Sequence, residues 1–586
     1  MIGGIREVFG VNLLLAGVAA CLLVMAFHPG AREKWLGWKP GSALEARLCR
    51  VHLPYWPVFF LILLTGLAVR IYRFGVLPYG SNQDGIRAGV ESFFLLRNGV
   101  DSAGNSWPTY FEAWKYTNMS TLYSYLLIPF LKGMGLSILS LRLPMLLICC
   151  GSLLILWDLT RRLSDRNCAL MVLLVAALNP WHIMMSRWAI ESNLMPHVFL
   201  LAVYLMVIGL RHRPVLFLSM AVFGLVPYAY GPSAFFVPVF LLIMAFFLVG
   251  TRKIGIGSLI VCFLVFGAVA WAYYMTLAIN VLGLESMRIG PFTLPSLPLS
   301  NRSTEISLAS KEPLAEMGEY FLVFLRHFFQ IWPEHSPYDA VNWADALFRF
   351  TSVFYTFGFF WMWKRRRVLV ARGEDSRFQT MTMILFAWLA GAAFCGSLVF
   401  ANIIRINCLY YVLILALGVT LYQMSRRLKT AGAVAMAMII GCFPFFVRDY
   451  FGEKQQSDIA AYFHKGLYQA LVDTRNMDYD NYYLCFGEDV EQRILWPQLV
   501  YAHEIDYDAF TEKTYLTDSK GNLTDWYYTE RYQFVTDPET FEADPYACAV
   551  YVCDNLEDYR KKFPEEEYEI REYDYYFTAY PRYWMD

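Results

Sequence analysis

Apolar runs that are long enough, or nearly long enough, to cross a lipid bilayer recur from residue 8 to residue 447. These runs are 8–27, 57–71, 142–160, 167–180, 194–210, 214–230, 232–250, 254–280, 341–363, 379–400, 408–424 and 430–447. Apolar residues make up 57% of the 586-residue chain and charged residues 17%, and the mean hydropathy is +0.37. This composition excludes a soluble globular protein and a disordered or coiled-coil chain. The sequence therefore predicts a polytopic α-helical membrane protein with about twelve spans.

Basic residues cluster in the short segments between the apolar runs. The clusters are Arg47/Arg50, Arg161/Arg162/Arg166, Arg211/Arg213, Arg252/Lys253, Lys364 to Arg367 and Arg426/Arg427/Lys429. The positive-inside rule places them in the cytoplasm, and they alternate correctly with the predicted spans if the N-terminus is outside. The apolar segment 121–136 contains Pro129 and Lys132 and would break this alternation if it crossed the membrane. It is therefore predicted to be interfacial or re-entrant.

This topology divides the chain into three parts. Residues 1–56 are an additional N-terminal transmembrane helix with a basic cytoplasmic loop, residues 57–447 are the main transmembrane domain, and residues 448–586 are a soluble domain on the external side. The last part contains about half of the 39 tyrosines, and its acidic residues outnumber its basic residues by more than two to one. Such an acidic surface argues against nucleic acid as a partner.

Residues 448–586 have amphipathic and alternating patterns that predict an α/β domain. A helix is predicted over 456–472, strands at 482–486 and 547–553, and a second helix over about 556–563. No internal repeat is evident in the chain. The 12 cysteines lie mostly inside apolar runs and do not indicate a disulfide framework.

Function is expected in the external segments. They are residues 72–141, 181–193, 281–340 and everything after Arg448. In the first segment, Asp84 lies at the start of a predicted helix near the membrane boundary. One interpretation is that Asp84 caps this helix. The other is that its carboxylate removes the proton from an acceptor hydroxyl, which is the group that an inverting sugar transfer needs.

The second external segment lies within the sequence NPWHIMMSRWAIESNLMP, at residues 179–196. Arg187 and Glu191 have i, i+4 spacing and are predicted to form a charged pair at the membrane boundary. This pair either orients helices or belongs to a functional site. His182 is predicted to be an orienting or interfacial residue rather than a base.

These features together resemble the bacterial members of the dolichyl-phosphate-mannose protein mannosyltransferase family. This family belongs to the GT-C class of membrane glycosyltransferases, which also includes the aminoarabinose transferases. The resemblance rests on residues 179–196, on Asp84, on Arg142-Leu143-Pro144 and on LVPYAYGPSAFFVPVFLL at 225–242, and it covers residues 57 to about 447. It implies a GT-C-like fold, an external active site, a polyprenyl-phosphate sugar donor and inversion at the anomeric carbon.

The resemblance also implies that Asp84 and Glu191 are the catalytic carboxylates. Gln83 stands where many family members have a second acidic residue, and Glu191 stands where Asp is common. Both departures argue against a bound divalent cation, and no other cofactor is required. A loose cluster of His and carboxylate residues is interpreted as a solvated loop rather than a metal site. It consists of Glu334, His335, Asp339 and Asp345.

Arg405, in the short external turn ANIIRINC, is the first candidate for holding the lipid phosphate, because a guanidinium offers a planar fork of donors. The alternative is that Arg405 extends to the lipid headgroups. The other predicted substrate-binding residues are Arg187, Arg142, Arg288, Tyr228 and Tyr230. An apolar, aromatic helix predicted around 313–331 would lie on the membrane and exclude water from the donor.

The sequence thus predicts an inverting glycosyltransferase of the plasma membrane, in a bacterium, with its active site and C-terminal domain extracytoplasmic. Its partners would be a polyprenyl-phosphate-linked monosaccharide, membrane lipids and a protein, glycan or lipid acceptor. One alternative is a transporter or flippase for lipid-linked sugars, which predicts symmetrical halves and sites at the membrane midplane. Another is an assembly subunit that binds through its acidic C-terminal domain.

Overall fold

Helices form most of the first 450 residues. The computed structural model describes residues 2–28, 30, 43–51, 53–113, 117–297, 306–331, 336–374, 377–486, 492–512, 514–517, 523–528, 531–535, 541–555 and 557–585. Glu334 and His335 lie outside the described residues. The helices are α1 (Ile2–Phe27), α2 (Ala43–Arg50), α3 (Tyr55–Ile71), α4 (Gln83–Asn98), α5 (Leu122–Met134), α6 (Ile138–Leu163), α7 (Arg166–Ala177), α8 (Pro180–Met185), α9 (Glu191–Gly209), α10 (Arg213–Ala229), α11 (Ser233–Gly250), α12 (Ile256–Leu282), α13 (Pro313–Phe329), α14 (Thr351–Ala371), α15 (Arg377–Leu398), α16 (Cys408–Arg427) and α17 (Lys429–Tyr450).

Every predicted apolar run overlaps a helix, but not every one of these helices can span a membrane by itself. Among the described residues, seven are long and apolar enough: α6, α9, α11, α12, α15, α16 and α17. The bent pair α2 and α3 adds an eighth if it is counted as one span. Helices α7 and α10 are apolar but have 12 and 17 residues, which is roughly 18 and 26 Å of helix against a hydrocarbon core of about 30 Å. The predicted count of about twelve spans is therefore not confirmed.

The predicted span 341–363 is wrong in its boundaries. Helix α14 begins only at Thr351 and continues to Ala371, while the preceding nine residues, 342–350, form turns. Asp345 and Phe348 have positive φ angles of 58° and 47°, which a helix does not allow. Arg349 pairs with the Asp345 carboxylate at 3.2 Å and stabilises these turns. Apolar composition alone gave no sign of this pairing.

The predicted interfacial segment 121–136 contains helix α5, which has 13 residues and an internal proline, Pro129. This helix is too short to be among those that could span a membrane, and the prediction of an interfacial segment requires this.

The helices alternate between two faces of the bundle. The loop face consists of residues 72–82, 99–113, 117–121, 186–190, 283–297, 306–331, 336–350, 399–407 and the described part of 451–585, and the basic face consists of the described residues in the connections that follow α6, α9, α11, α14 and α16. At the loop face, the Arg142 side chain donates hydrogen bonds to the carbonyls of Pro78 (3.0 Å) and Gly80 (2.5 Å). At the basic face, the Tyr55 hydroxyl donates to the Arg166 carbonyl at 3.1 Å. This alternation agrees with the predicted topology, while the side of the membrane stays a prediction.

Two small hairpins lie at the loop face. The C-terminal residues form helices and a mixed sheet, in agreement with the predicted α/β domain. The strands are β1 (Tyr110–Ala113), β2 (Thr117–Ser120), β3 (Met287–Ile289), β4 (Phe292–Leu294), β5 (Asn481–Cys485), β6 (Thr514–Thr517), β7 (Leu523–Tyr528), β8 (Tyr532–Val535), β9 (Ala549–Asp554), β10 (Tyr568–Tyr573) and β11 (Tyr576–Pro581). The C-terminal helices are α18 (Glu453–Tyr462), α19 (Leu467–Thr474), α20 (Gln492–His503), α21 (Tyr507–Thr511), α22 (Glu557–Arg560) and α23 (Arg582–Met585). The C-terminal strand order is β10-β11-β9-β5-β8-β7-β6, with β5 parallel to both β8 and β9.

The prediction of one helix over 456–472 is wrong, because the chain breaks between α18 and α19. Gly466 in this break has a φ of +94°, and a Cβ atom there would lie 1.8 Å from the Tyr573 carbonyl oxygen. The Phe463 carbonyl accepts a hydrogen bond from the Ser81 backbone N–H at 2.6 Å. The break is thus the place where a loop of the transmembrane domain contacts the C-terminal domain. The predicted helix over 556–563 is also shorter, since α22 has four residues.

Candidate active site

Asp84 lies in the first turn of α4, at the loop face. The cap of this helix is Asn82, whose side-chain oxygen accepts hydrogen bonds from the backbone N–H groups of Asp84 (3.0 Å) and Gly85 (3.4 Å). The interpretation of Asp84 as the helix cap is therefore wrong. Its half-buried carboxylate lies near the N-terminus of α4, where the helix dipole stabilises negative charge.

A close backbone contact brings the start of α4 against the segment that leads to Glu191. A Cβ atom at Gly85 would lie 2.5 Å from the Ala189 carbonyl oxygen, so only glycine allows this approach. Two residues after Ala189, the half-buried Glu191 begins helix α9, so its carboxylate also lies at a helix N-terminus. The two carboxylates predicted to be catalytic are therefore carried by adjoining helix starts.

Aromatic rings form a wall beside these helix starts. The rings of Trp188, Tyr338 and Phe463 contact each other with centroid separations of 5.6, 5.4 and 5.4 Å. Burial raises the pKa of the Tyr338 hydroxyl, and the carboxylates of Asp339 and Asp84 raise it further. Asp84 is thus close enough to Tyr338 to act on it electrostatically, and an aromatic surface of this kind can stack on the apolar face of a sugar ring.

A buried amide connects the turn that contains Arg405 to the start of α9. The Trp181 indole N–H donates to Oδ1 of Asn407 at 2.8 Å. The side-chain N–H groups of Asn407 donate to the Ser192 carbonyl and to Oδ1 of Asn193, both at 3.2 Å. Arg405 lies two residues before Asn407 and is half-buried. No feature of the sequence pointed to Asn407, because its partners lie more than 200 positions away.

Arg187 and Arg142 use their guanidinium groups to hold backbone carbonyls. Arg187 is fully buried and donates to the carbonyls of Arg70 (2.6 Å), Tyr72 (2.7 Å) and Leu77 (3.1 Å). The predicted pair of Arg187 with Glu191 is not among its bonds, because the chain turns between the two residues. With Arg142 bonded to Pro78 and Gly80 in the same way, this geometry favours structural roles for both arginines.

A second buried arginine, Arg70, anchors a polar chain inside the bundle. Its side chain donates to the carbonyls of Ala177 (3.0 Å) and Ala176 (3.0 Å) and to Nδ1 of His182 (2.9 Å). Nε2 of His182 lies 3.0 Å from the Tyr411 hydroxyl. His182 is therefore held between a cation and a hydroxyl, which fits the predicted orienting role. A charge in the last turn of an apolar run is the sequence signal that could have identified Arg70.

Tyr228, Tyr230 and Arg288 lie at another part of the loop face. Tyr228 lines an apolar cavity of about 330 Å³ together with residues of the first loop, helix α12 and the β3-β4 hairpin. Its hydroxyl donates to the Val269 carbonyl and accepts the Tyr273 N–H, both at 3.0 Å. Tyr230 caps α10 and is half-buried, and Arg288 is exposed on β3.

Helix α13 agrees with the predicted helix around 313–331 and contacts the turn that precedes Arg405. His327 at its C-terminal end lies 3.1 Å, through Nε2, from the Ala401 carbonyl oxygen. Its outer side is apolar, with Leu314 85% exposed and Leu322 59% exposed. Such a side is suited to lie in a lipid surface.

Among the described residues, no group of three or more His, Cys, Asp or Glu side chains has the arrangement to hold a metal ion. Of the loose cluster predicted to be a solvated loop, Asp339 and Asp345 are described and both are buried. Asp345 pairs with Arg349, and Glu334 and His335 lie outside the description.

Comparison of the whole structure with solved structures identifies the architecture. ArnT from Cupriavidus metallidurans, an aminoarabinose transferase crystallised with undecaprenyl phosphate, superposes with a TM-score of 0.51 at 10% identity, over 89% of this chain and 97% of ArnT. The chain has the GT-C fold. The archaeal oligosaccharyltransferase AglB from Archaeoglobus fulgidus, in complex with an inhibitory peptide and a dolichol-phosphate, has a TM-score of 0.46 at 13% identity, over 85% of this chain and 69% of AglB. No protein-family model and no curated protein matches the sequence.

In this GT-C fold the C-terminal domain lies on the same face as the candidate site. Its α18-α19 break contacts the loop before α4, and Phe463 from this break belongs to the aromatic wall. The sequence predicted the loop segments and the domain on one side, and the fold brings Asp84, Glu191 and the Arg405 turn into the same region.

Proposed function

We propose that the chain is an inverting glycosyltransferase that moves a monosaccharide from a polyprenyl-phosphate donor to an acceptor hydroxyl at the extracytoplasmic face of a plasma membrane. The observation that carries the proposal is the contact of Gly85 with Ala189, which joins the helix starts bearing Asp84 and Glu191 at the loop face of a GT-C fold. A lipid-phosphate donor is supported by the undecaprenyl phosphate bound to ArnT.

The reaction is a single displacement at the anomeric carbon. The acceptor oxygen attacks this carbon from the face opposite the phosphate, the bond from the carbon to the phosphate oxygen breaks, and the lipid phosphate leaves with the electron pair. Asp84 takes the proton from the acceptor hydroxyl as attack proceeds. Glu191, at the adjoining helix start, accepts hydrogen bonds from the sugar or acceptor hydroxyls and holds them in line for attack. No protein nucleophile and no cofactor takes part.

The phosphate is held by Arg405 in this proposal. Its half-buried side chain lies on the turn that Asn407 connects to the start of α9. Charge-assisted hydrogen bonds from a guanidinium stabilise the phosphate as negative charge builds on it. Arg142 and Arg187 are occupied by carbonyls, so Arg288 on the exposed hairpin is the remaining predicted alternative.

The surrounding elements supply the lipid and acceptor surfaces. Helix α13 rests on the membrane next to the Arg405 turn and excludes water from the donor. Tyr228 lines the apolar cavity of about 330 Å³, which suits the first isoprene units of the lipid. The aromatic wall and the tyrosine-rich C-terminal domain face the acceptor, which is a protein, a glycan or another lipid.

The proposal is tested by transfer of radiolabelled sugar from a panel of polyprenyl-phosphate monosaccharides by the purified protein in liposomes, with and without EDTA. We expect Asp84→Asn to lower kcat by about 100-fold or more, the usual weight of a general base, and EDTA to have no effect. Glu285→Gln, which neutralises an exposed carboxylate outside the site, serves as the control and should match the wild type.

Equal transfer by wild type and Asp84→Asn would contradict the catalytic assignment. Movement of the intact lipid-linked sugar across the liposome, without transfer to an acceptor, would instead support the transporter alternative. Retention of function in vivo by the Asp84→Asn variant would favour the assembly-subunit alternative.

A further inference from the structure

The basic face, opposite the candidate active site, contains two adjoining cavities. The first has a volume of about 570 Å³, and its lining includes Arg161, Arg162, Arg211, Lys253 and Arg377. The second has a volume of about 700 Å³, and its lining includes Asp165, Trp361, Arg365, Arg377, Arg426 and Arg427. Leu163 and Arg377 line both, so the cavities meet at these two residues.

The cavities hold an excess of positive charge. Seven arginines and one lysine line them, against a single acidic residue, Asp165. Behind the first cavity, Asp158 binds both Arg161 and Arg162. Five other arginines make no ion pair with any acidic residue that the structure describes: Arg211, Arg365, Arg377, Arg426 and Arg427. Cations gathered in a concave surface repel each other, and a bound anion relieves this repulsion.

Aromatic and apolar groups stand beside the cations. Arg427 lies over the rings of Phe27 (4.6 Å) and Trp361 (5.7 Å), and Val207 and Ile208 form an apolar rim of the first cavity. Arg427 ends α16 and the pair Val207 and Ile208 lies in the last turn of α9, and both helices are long and apolar enough to cross a membrane. These residues are therefore expected at the level where lipid headgroups meet hydrocarbon chains. A ligand that combines anionic phosphate with apolar chains matches both kinds of surface.

We propose that the two cavities bind the phosphate groups of anionic phospholipids, one phosphate in each cavity. Arg377, which is exposed and shared, contacts both phosphates, while the acyl chains lie along the apolar rims. A lipid that carries two phosphates on one headgroup fills both cavities at once and binds more tightly than a lipid with one. The site is separate from the sugar donor site, because it lies at the other end of the helices.

Binding is measured as the rise in the thermal unfolding midpoint of the full-length protein in detergent micelles, titrated with phosphatidylcholine, phosphatidylglycerol, diphosphatidylglycerol or inorganic phosphate. We expect diphosphatidylglycerol to bind most tightly, phosphatidylglycerol next, and phosphatidylcholine and inorganic phosphate to have little effect. Each arginine contributes about fivefold in affinity for an anionic surface. Arg377→Gln should thus weaken diphosphatidylglycerol binding about fivefold, and Arg211→Gln with Arg377→Gln about 25-fold.

Arg367→Gln is the matched control, because Arg367 is exposed on the same helix as Arg365 and lines neither cavity. It should leave binding within about twofold of the wild type, although it removes the same charge from the same face. Equal unfolding midpoints of all variants in phosphatidylcholine establish that they are folded. An equal loss of affinity in Arg367→Gln would overturn the proposal, since the charges would then act only by setting topology. Binding of inorganic phosphate that depends on Arg377 would identify a site for a free anion and overturn the lipid assignment.

Discussion

At the scale of single residues, burial distinguishes charged groups that hold the fold together from groups available for chemistry. Arg70, Arg142 and Arg187 donate to carbonyls of distant segments, and removing any of them would leave those carbonyls without partners in a dry interior. Asp84 and Arg405, in contrast, are half-buried at the loop face. In the sequence these charged residues are equivalent candidates for the functional site. Solvent access separates them into a buried group and a half-buried group.

Asp101, in the loop after α4, is expected to make stability depend on pH. Burial, together with the neighbouring Glu91 carboxylate, raises the pKa of Asp101 to about 7. The folded state therefore retains a proton that the unfolded state releases above its ordinary pKa of 3.8. Stability should fall as pH rises from about 4 to about 7, by up to about 1.4 kcal/mol per pH unit, and then level off.

The measurement is the thermal unfolding midpoint between pH 4.5 and 8 for wild type and Asp101→Asn. The variant keeps the side-chain oxygen that accepts hydrogen bonds from Asn105 and Ala103, but it cannot ionise. Its midpoint should depend less steeply on pH in this range. An identical slope in both proteins would show that Asp101 is not the group responsible.

At the scale of elements, helix breaks and helix starts determine which segments meet. The α18-α19 break admits the loop before α4, and the start of α4 contacts the start of α9 through Gly85. Both contacts depend on glycines, Gly80 against the Phe463 carbonyl and Gly85 against the Ala189 carbonyl, which let two backbones approach more closely than a side chain would allow. The aromatic wall is built from three different segments because of these two contacts.

Gly466→Ala should destabilise the C-terminal domain, because Gly466 contacts Tyr573 of the same domain. Alanine at this position would have a strained positive φ. Its methyl group would lie 1.8 Å from the Tyr573 carbonyl oxygen, so backbone atoms must move. Gly290→Ala is the control, since Gly290 also has a positive φ, +59°, but faces open space. We expect the free energy of unfolding to fall by about 1 kcal/mol in the control, from φ strain alone. It should fall by at least about twice this in Gly466→Ala. Equal losses measured by thermal unfolding would contradict the clash.

At the scale of the whole molecule, the C-terminal domain and the transmembrane domain share one continuous buried core. Helix α20 contributes Gln498, whose side chain is fully buried and exchanges hydrogen bonds with the Ser81 hydroxyl at 3.0 to 3.1 Å. Its neighbour Tyr501 donates to the Ser137 carbonyl at 3.1 Å, and Trp496 stacks on Arg87 at 4.3 Å. The loop face is therefore held rigid from above by the domain, as a preorganised site requires.

Gln498→Leu should lower the free energy of unfolding by about 1–3 kcal/mol, because it leaves the buried Ser81 hydroxyl without its partner. Scanning calorimetry should show a single transition that moves as a whole to lower temperature. Gln469→Leu, on the exposed side of α19, is the control and should shift it little. Two transitions, only one of which moves in Gln498→Leu, would mean that the domains unfold independently.

Composition and periodicity were sufficient to predict the membrane class, most of the helix positions and a C-terminal domain of helices and strands. These properties are local, since a run of apolar residues or an alternating strand carries its signal within about 20 neighbours. The prediction failed where specific contacts overrode the apolar or periodic pattern. One is the local pair of Asp345 with Arg349 in the turns before α14, and the other is the long-range contact of Gly466 with Tyr573, at the break in the predicted helix 456–472.

Which charged residues hold the fold together and which are available for chemistry depended instead on the tertiary structure. Asn407, Arg70 and Gln498 bond to partners that lie between 100 and more than 400 positions away along the chain. Hydrogen-bond partners of this kind leave no periodic trace, because they depend on where packed helices bring backbone carbonyls rather than on neighbouring residue types. The resemblance pointed to Asp84 and Glu191 from short motifs, and the contact between Gly85 and Ala189 that joins their helices became visible only once the chain was folded.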